Sequence, residues 1–173
     1  MKELVGHKDF CQLFQALYPR LYSYLLARVG DPETAQDLTA DAFARAWQAW
    51  GQLEHPEACA TYIFSIARHL VASHYRRLLR AERANGRLSR QGDMPMLAEP
   101  DELFFHQEDK REVMEALEIL SSQEQEVLRL RFEAELGSKE IGRILGIKEA
   151  YVRVVIHRAL RKLRKTLLGR VAA

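Results

Sequence analysis

Cysteine and long apolar runs are scarce in this sequence. Its 173 residues include two cysteines, Cys11 and Cys59, which lie far apart and outside any Cys-x-x-Cys motif. A disulfide framework is therefore not expected, and both thiols are predicted to be buried. No apolar run approaches the roughly 18 residues of a membrane span, and Met1–Asp9 has no apolar stretch of the signal-peptide kind. We expect a cytoplasmic protein with no segment inserted in a membrane.

The residue groupings that metal and catalytic sites require are also missing. His7 and Cys11 lie four residues apart and could supply two ligands. No second pair completes the four ligands that a zinc site usually needs. No nucleophile with a base, no paired acid and base and no phosphate-binding glycine loop is recognisable. We expect no metal, no cofactor and no enzymatic activity.

Charge is sorted along the chain far more than its net value of +2 suggests. Residues 1–60 carry a net charge of −3, residues 61–90 of +6, residues 91–138 of −9 and residues 139–170 of +8. The two basic blocks could bind a polyanion at two separate surfaces, while the acidic blocks stay in water or meet a basic protein.

Apolar residues recur at helical spacing almost throughout, and no stretch shows sustained strand alternation, so the fold is predicted to be all-α. Pro19 allows a break between a first apolar stripe, which ends at Leu17, and a second, which begins at Leu21. Asp31 before Pro32 predicts the N-terminus of the next helix, and Ser121 with Glu124 predicts a capping box. Two inward faces are predicted, comprising Ala35, Leu38, Ala42, Phe43, Ala46, Trp47 and Trp50, and Cys59, Ile63, Ile66, Ala67, Leu70 and Val71.

Helical periodicity fails between the two halves of the chain, where glycine and proline recur without an apolar pattern. We predict two small helical domains, 1–84 and 102–173, joined by a flexible linker, 85–101.

The second basic block lies on a helix-turn-helix pattern. Such a motif needs a capped first helix, a small residue at the helix crossing, a turn and apolar anchors. The sequence supplies these as Ser138, Gly142, Gly146 with Ile147, and Val152 with Val155. Residues 148–153 are then predicted to face base edges, and the later basic residues to hold phosphates. The alternatives are a merely solvated basic helix, or one that lies on a membrane or in a partner's groove.

The first basic block interleaves aromatic and cationic side chains within the stretch TYIFSIARHLVASHYRR, residues 61–77. Single-stranded nucleic acid is bound by this combination, because rings stack on bases while arginines neutralise phosphates. The cations and rings near its end are Arg68, His69, His74, Tyr75, Arg76 and Arg77. Tyr62 and Phe64 could instead pack in the core.

Three stretches, taken in order, carry a resemblance to a known family. They read YPRLYSYLLARVGDPETAQDLTADAFARAW, TYIFSIARHLVASHYRR and LSSQEQEVLRLRFEAELGSKEIGRILGIKEAYVRVVIHRALRKLR. They resemble the first half of region two, the promoter-binding half of region two, and region four of the extracytoplasmic-function (ECF) sigma factors of bacterial RNA polymerase. The resemblance covers nearly the whole chain.

The resemblance implies partners and residue roles. The partners would be core RNA polymerase, through the clamp helices of its largest subunit and its flap, and promoter DNA, both as duplex and as melted single strand. An anti-sigma factor is a further candidate partner. Residues 51–61 and the start of the next helix would capture a flipped base, and the linker would run toward the RNA exit path.

Three sets of residues follow: the docking set is what the resemblance implies, and the two DNA-binding sets come from the basic blocks together with the resemblance. The docking set, on the polymerase, is Asp37, Leu38, Asp41 and Phe43. The minus-ten set, on melted DNA, is Tyr62, Arg68, His69, His74, Tyr75, Arg76 and Arg77. The upstream set, on the minus-thirty-five duplex, is Lys148, Glu149, Ala150, Tyr151, Arg153, Val154, His157, Arg158 and Arg161.

The chain departs from the family's usual residues at several positions. Ala40 stands where glutamine is usual, and Asp41 where glutamate is usual. Tyr62 replaces a usual tryptophan, and Gly142 a usual alanine. His69 and Ser73 stand where asparagine and aspartate are common.

Two other functions stay open: a stand-alone helix-turn-helix regulator, and an adaptor whose charged blocks bridge proteins.

Overall fold

The computed structural model describes residues 2–50, 59–84 and 117–171. Six helices span these ranges: α1 Lys2–Val29, α2 Pro32–Ala49, α3 Cys59–Ala84, α4 Ser122–Phe132, α5 Ser138–Leu145 and α6 Glu149–Val171. None of the described residues forms a strand, which confirms the predicted all-α class. The chain divides into two compact units, residues 1–99 and 100–173. The predicted linker, 85–101, lies outside the described residues.

Helix α1 runs without interruption through Pro19, so the break that this proline allows does not occur. Proline removes one helical hydrogen bond and typically costs about 3 kcal/mol inside a helix. The buried residues on either side, Leu17, Leu21, Tyr24 and Leu25, lie on one face of the same helix. Each such side chain contributes roughly 1.5–3 kcal/mol when fully buried. Their burial offsets the cost of Pro19, whose own ring is exposed.

The corner between α1 and α2 forms as the sequence predicts. Gly30 takes a left-handed conformation with φ 72°, which glycine adopts without steric cost. The Asp31 carboxylate then accepts a hydrogen bond of 2.7 Å from the Thr34 backbone N–H. Hydrogen bonding with the Thr34 side chain, followed by this bond from its backbone N–H, lowers the pKa of Asp31. The predicted N-cap of α2 is confirmed.

Unit 1 is held by the facing sides of α1, α2 and α3. Most of the predicted inward faces are buried, but Trp47 is 38% exposed, and Trp50 and Ile66 are half-buried. Phe64 is fully buried, and its ring meets that of Tyr24 edge-on with centroids 5.7 Å apart. Phe64 is therefore a core residue.

The partial exposure of Trp47 has a local cause. Phe10 on α1 packs against the rings of Trp47 and Trp50 with centroids 4.8 and 5.1 Å away. Phe14 packs against Phe43 at 4.6 Å. These rings form a cluster at the edge of the core, where the indole ring of Trp47 is covered on one side only.

The two cysteines differ in environment. Cys59 is buried, as predicted, and its burial raises the pKa of the thiol. Cys11 is exposed, so the prediction that it is buried is wrong. It lies on the outer face of α1, away from the buried face that holds Leu17 and Leu21.

Unit 2 confirms one predicted cap and corrects another. Ser121 and Glu124 form the predicted capping box at the start of α4. Helix α5, in contrast, is not capped by Ser138, which is its first helical residue. Gly137 is the N-cap, and its N–H donates to the Glu140 carboxylate at 2.7 Å. The Glu140 carboxylate accepts from a backbone N–H that would otherwise be free at the start of the helix, so a serine hydroxyl is not needed as the cap.

Glu124 also joins distant parts of unit 2. Its carboxylate accepts a hydrogen bond of 2.8 Å from the Lys162 ammonium on α6. That bond, followed by the bond from the Ser121 backbone, lowers the pKa of Glu124. The start of α4 is thereby fixed to α6.

Replacing Glu124 with glutamine should destabilise unit 2 in a pH-dependent way. Because the pKa of Glu124 is lowered in the fold, its charge stabilises unit 2 above the ordinary pKa of about 4.3, and this stabilisation is lost as pH falls through the folded value. At pH 7 we expect Glu124→Gln to reduce the free energy of opening, measured by amide hydrogen exchange in α4, by about 1–2 kcal/mol. The difference from the parent should vanish in acid. A difference that persists there, or an equal loss in the exposed control Glu118→Gln, would contradict this.

Candidate nucleic-acid interface

Helices α5 and α6 form a helix-turn-helix with a close crossing. Gly146 ends α5 with φ 68°, and the Ile147 N–H donates to the Gly142 carbonyl at 2.9 Å. A Cβ added to Gly142 would lie 2.7 Å from the Ile147 carbonyl oxygen, and that oxygen belongs to backbone. The predicted small residue and turn glycine are both confirmed. The backbone between the helices approaches more closely than an alanine at 142 would allow.

The anchors of α6 determine which of its faces meets solvent. Val152, Val155 and Ala159 are buried, and Ala159 packs in a cluster with Leu120 and Leu128. All nine members of the upstream set are exposed. The structure therefore exposes the whole upstream set: Lys148 directly precedes α6, and the other eight members lie on the faces of α6 that its buried anchors leave accessible.

The exposed side of α6 combines several chemistries. Tyr151 and Val154 offer exposed apolar surface. Arg153 donates to the Glu149 carboxylate one turn earlier. Major-groove edges of DNA present donors, acceptors and the thymine methyl group, so acidic, cationic and apolar side chains on one helix can each find a partner there.

The exposed side of α3 carries part of the minus-ten set. Tyr62 is 36% exposed, and His69 and Arg76 are exposed as well. These three residues are spaced by seven, so they lie along one line of the helix about 10 Å apart. Arg68 and Arg77 are exposed beside them. This line can present one ring and several cations to an extended strand.

Hydrogen bonds within α3 orient two of these side chains. The Arg76 guanidinium donates to the Ala72 carbonyl at 3.1 Å and to the Ser73 hydroxyl at 3.0 Å. His69 Nδ1 lies 2.7 Å from the Ser65 carbonyl oxygen, and it must be the donor because a carbonyl only accepts. Ser73, which positions Arg76, is not among the residues predicted from the sequence, although its spacing of three from Arg76 was an available signal.

His74 and Tyr75 are placed differently from the rest of the minus-ten set. Both are half-buried, and the Tyr75 hydroxyl donates to the Arg28 carbonyl near the end of α1. The pKa of His74 is lowered by burial and by the nearby charge of Arg77, against the opposing charge of Asp31. These two side chains face the corner of α1 and α2, so the structure does not bring them onto the line of Tyr62 and His69.

The docking set also divides. Asp37 is exposed, and the Asp41 carboxylate pairs with Arg45 at 2.8 Å while remaining accessible. Leu38 and Phe43 are only 6% and 4% exposed. Leu38 and Phe43 therefore offer a partner little surface: they pack mainly in the core and leave the acidic side of α2 outward. Their direct contact with the polymerase stays a prediction.

The described ranges contain neither a candidate metal-binding group nor a candidate membrane-spanning helix. Within residues 2–50, 59–84 and 117–171, no three His, Cys, Asp or Glu side chains group closely enough to hold a metal ion. No helix of the described chain is long and apolar enough to cross a membrane.

Replacing Gly142 with alanine should disturb the helix crossing. The methyl group must displace the Ile147 backbone, at an overpacking cost of about 1–3 kcal/mol, which exceeds the roughly 1 kcal/mol that alanine gains by helix propensity. We expect unit 2 to lose stability in urea unfolding and to bind duplex DNA more weakly.

Gly137→Ala is the matched control for Gly142→Ala. A Cβ at Gly137 would meet only the end of the Glu140 side chain, at 3.2 Å, which can move. We expect this control to retain DNA affinity. A Gly142→Ala protein more stable than the parent, with equal DNA affinity, would show that the crossing is not close.

Family models match both halves of the chain. The model described as Sigma-70 region 2 matches residues 13–81, and the model described as Sigma-70, region 4 matches residues 116–165. Among solved structures, the sigma factor RpoE in its complex with the anti-sigma factor NepR from Bartonella quintana is similar at a TM-score of 0.72 and 21% identity, covering 92% of this chain and 97% of that one. CnrH, in complex with the cytosolic domain of CnrY, is similar at a TM-score of 0.63 and 19% identity, covering 96% of each chain. These likenesses support the fold.

Curated relatives cover most of the chain. The ECF RNA polymerase sigma factor SigL of Mycobacterium tuberculosis is 30% identical over 166 residues, which are 90% of this chain and 89% of SigL. The RNA polymerase sigma factor YlaC of Bacillus subtilis is 27% identical, over 93% of this chain and 94% of YlaC. The ECF sigma factor BldN of Streptomyces coelicolor is 29% identical over 96% of this chain, which spans 66% of BldN. With both regions matched in order and such relatives along most of its length, this chain belongs to the ECF sigma factors of the sigma-70 family, which direct RNA polymerase to promoters.

Proposed function

We propose that this sigma factor binds core polymerase through α2 and reads a promoter at two places, with α3 on melted DNA and α6 on duplex. The observation that carries the proposal is the exposure of the entire upstream set at the start and along the accessible faces of a helix whose buried side is anchored in unit 2. In this proposal, region two comprises residues 1–84, the linker residues 85–101 and region four residues 102–173.

Polymerase docking is assigned to the outer side of α2. Asp37 and Asp41 give this side acidic character, which suits a basic partner such as the clamp helices. Leu38 and Phe43 contribute by fixing α2 against α1 and α3. Region four is assigned to the flap of the polymerase.

The minus-ten element is assigned to the line formed by Tyr62, His69 and Arg76. A base that leaves the duplex loses stacking and pairing worth a few kcal/mol. An exposed ring can recover about 1–3 kcal/mol by stacking, and Arg76 and Arg77 can neutralise the adjacent phosphates. The loop that would capture the flipped base falls on residues 51–61, of which 51–58 lie outside the described residues.

The upstream element is assigned to α6 in the major groove. Residues near a recognition helix's N-terminus meet base edges, and later cations meet phosphates. Glu149 and Arg153 fall in the first group, and Arg158 and Arg161 in the second.

Three further inferences concern how the protein works. It acts by binding and positioning, and we propose that it is not an enzyme. We place it in the cytoplasm because its target is RNA polymerase. Since RpoE is bound by the anti-sigma factor NepR, we also infer that an anti-sigma factor controls this chain.

Transcription in vitro tests the proposal directly. The purified chain is mixed with core polymerase and a genomic library, and start sites are mapped. We expect selective initiation only when both proteins are present. A stand-alone regulator would bind duplex without polymerase, and an adaptor would give no start sites beyond those of core enzyme; either result would overturn the proposal.

Replacing both Arg76 and Arg77 with alanine should impair promoter opening. Loss of two phosphate contacts should reduce open-complex formation and lower the slope of its salt dependence, by about 0.7 for each contact made to single strand. Permanganate reactivity of melted thymines, measured across a salt series, provides the readout.

The charge-matched control replaces both arginines with lysine. It should retain most of the salt slope, because the charges remain. If the alanine variant shows the same permanganate reactivity and salt slope as the parent, Arg76 and Arg77 do not contact the phosphates.

A further inference from the structure

One carboxylate stands within the cationic surface of α6. Glu149 is the only acidic residue from Lys148 to Lys165, a stretch with seven basic residues. It lies in the first turn of α6, and its side chain is 43% exposed. A carboxylate in this position repels DNA phosphates, so it weakens binding to any DNA that offers it no donor.

Glu149 contributes little to the stability of the fold, so stability alone does not explain a carboxylate at this position. Glu149 pairs with Arg153 one turn later, but the Arg153 side chain is 66% exposed. Exposed pairs of this spacing contribute about 0.3–0.5 kcal/mol, and an acidic residue at a helix N-terminus roughly 0.3–1 kcal/mol. An alanine or a neutral cap at 149 would leave α6 folded through its buried anchors, Val152, Val155 and Ala159.

The ion pair does constrain Arg153. One terminal nitrogen of the guanidinium is held by the Glu149 carboxylate, and a guanidinium has five N–H donors in a fixed plane. A pair worth about 0.3–0.5 kcal/mol favours this orientation of the remaining donors by roughly twofold over the others. On the same exposed side, Ala150 and Val154 have no hydrogen-bonding group in their side chains. The exposed polar groups at this end of α6 are the pair, Tyr151 and the preceding Lys148, and among them only the Glu149 side chain accepts without being able to donate.

We propose that Glu149 is a specificity determinant of the upstream element: it positions Arg153 on an acceptor base edge and itself requires a base with an exposed amino group. This inference rests on the proposed role of α6 as the reading helix. The base classes follow from the groups involved.

Guanine presents two acceptors, N7 and O6, to a bidentate arginine, whereas cytosine and adenine present an amino donor to a carboxylate. A carboxylate accepts but cannot donate. Opposite a guanine or thymine edge it would be a desolvated charge facing acceptors, which is strongly unfavourable. Glu149 therefore acts mainly by rejecting wrong bases, and Arg153 mainly by binding the right one.

Glu149→Gln tests the inference, because glutamine keeps the shape but loses the charge and gains a donor. The experiment measures binding of the complete holoenzyme to a library of upstream elements that vary one base pair at a time. A mismatched pair typically costs about 1–3 kcal/mol, or roughly 5- to 150-fold. We expect the parent to show such a penalty at the pair facing Glu149, and Glu149→Gln to reduce it to less than about threefold.

Two further variants separate positioning from simple repulsion. Glu118→Gln makes the same charge change before α4, on an exposed residue outside α6, and should leave every mismatch penalty unchanged. In an Arg153→Ala background, Glu149→Gln should have no additional effect on the guanine preference, because no guanidinium remains to be positioned.

The outcomes distinguish this inference from the proposed function. Uniformly tighter binding of Glu149→Gln to all sequences, with intact penalties, would mean that Glu149 only repels phosphates and would overturn the inference. Uniformly weaker binding with intact penalties would assign Glu149 to helix stability and would also overturn it. In both cases the parent holoenzyme still initiates selectively, whereas failure of the proposed function would abolish selective initiation by the parent itself.

Discussion

The close crossing of α5 and α6 at Gly142 is the constraint on which the DNA-facing geometry depends. The Ile147 backbone lies where a side chain at 142 would have to be, and Val152 and Val155 are buried behind it. With those contacts fixed, α6 has one rotation about its axis that buries its valines, and in that rotation the upstream set is exposed. Packing thus determines which side chains are available for recognition.

The same logic operates in unit 1 with different residues. Leu38 and Phe43 are buried, so the acidic side of α2 faces outward, and burial of Ile63, Phe64 and Ala67 places Tyr62 and His69 on the outer side of α3. Charge sorted into blocks along the sequence therefore becomes charge sorted onto separate helix faces. A negative face for a basic protein and positive faces for DNA can coexist in a chain whose net charge is only +2.

Local chemistry was predictable from the sequence, and distant contacts were not. The caps at Asp31 and Ser121 depend on residues within one turn, and periodicity identified the helices. The break that Pro19 allows does not occur and the cap at Ser138 was wrong, because tertiary burial and the Glu140 carboxylate overrode local preference. Helical periodicity could not show that Tyr75 bonds to Arg28, which lies 47 residues away. It also could not show that Trp47 lies at the edge of the core and not inside it. His74 and Tyr75 consequently lie apart from the line of Tyr62 and His69, although the sequence placed all four in the minus-ten set.

Photocrosslinking from two positions in one promoter complex tests the central claim most directly. A photoreactive phenylalanine analogue replaces Tyr62 in one sample and Tyr151 in another, and each holoenzyme is bound to the same promoter. We expect the group at 62 to label melted non-template strand near the start site, and the group at 151 to label duplex upstream of it. Labelling of the same DNA segment from both positions, or of protein alone, would contradict reading of a promoter by two separate helix faces.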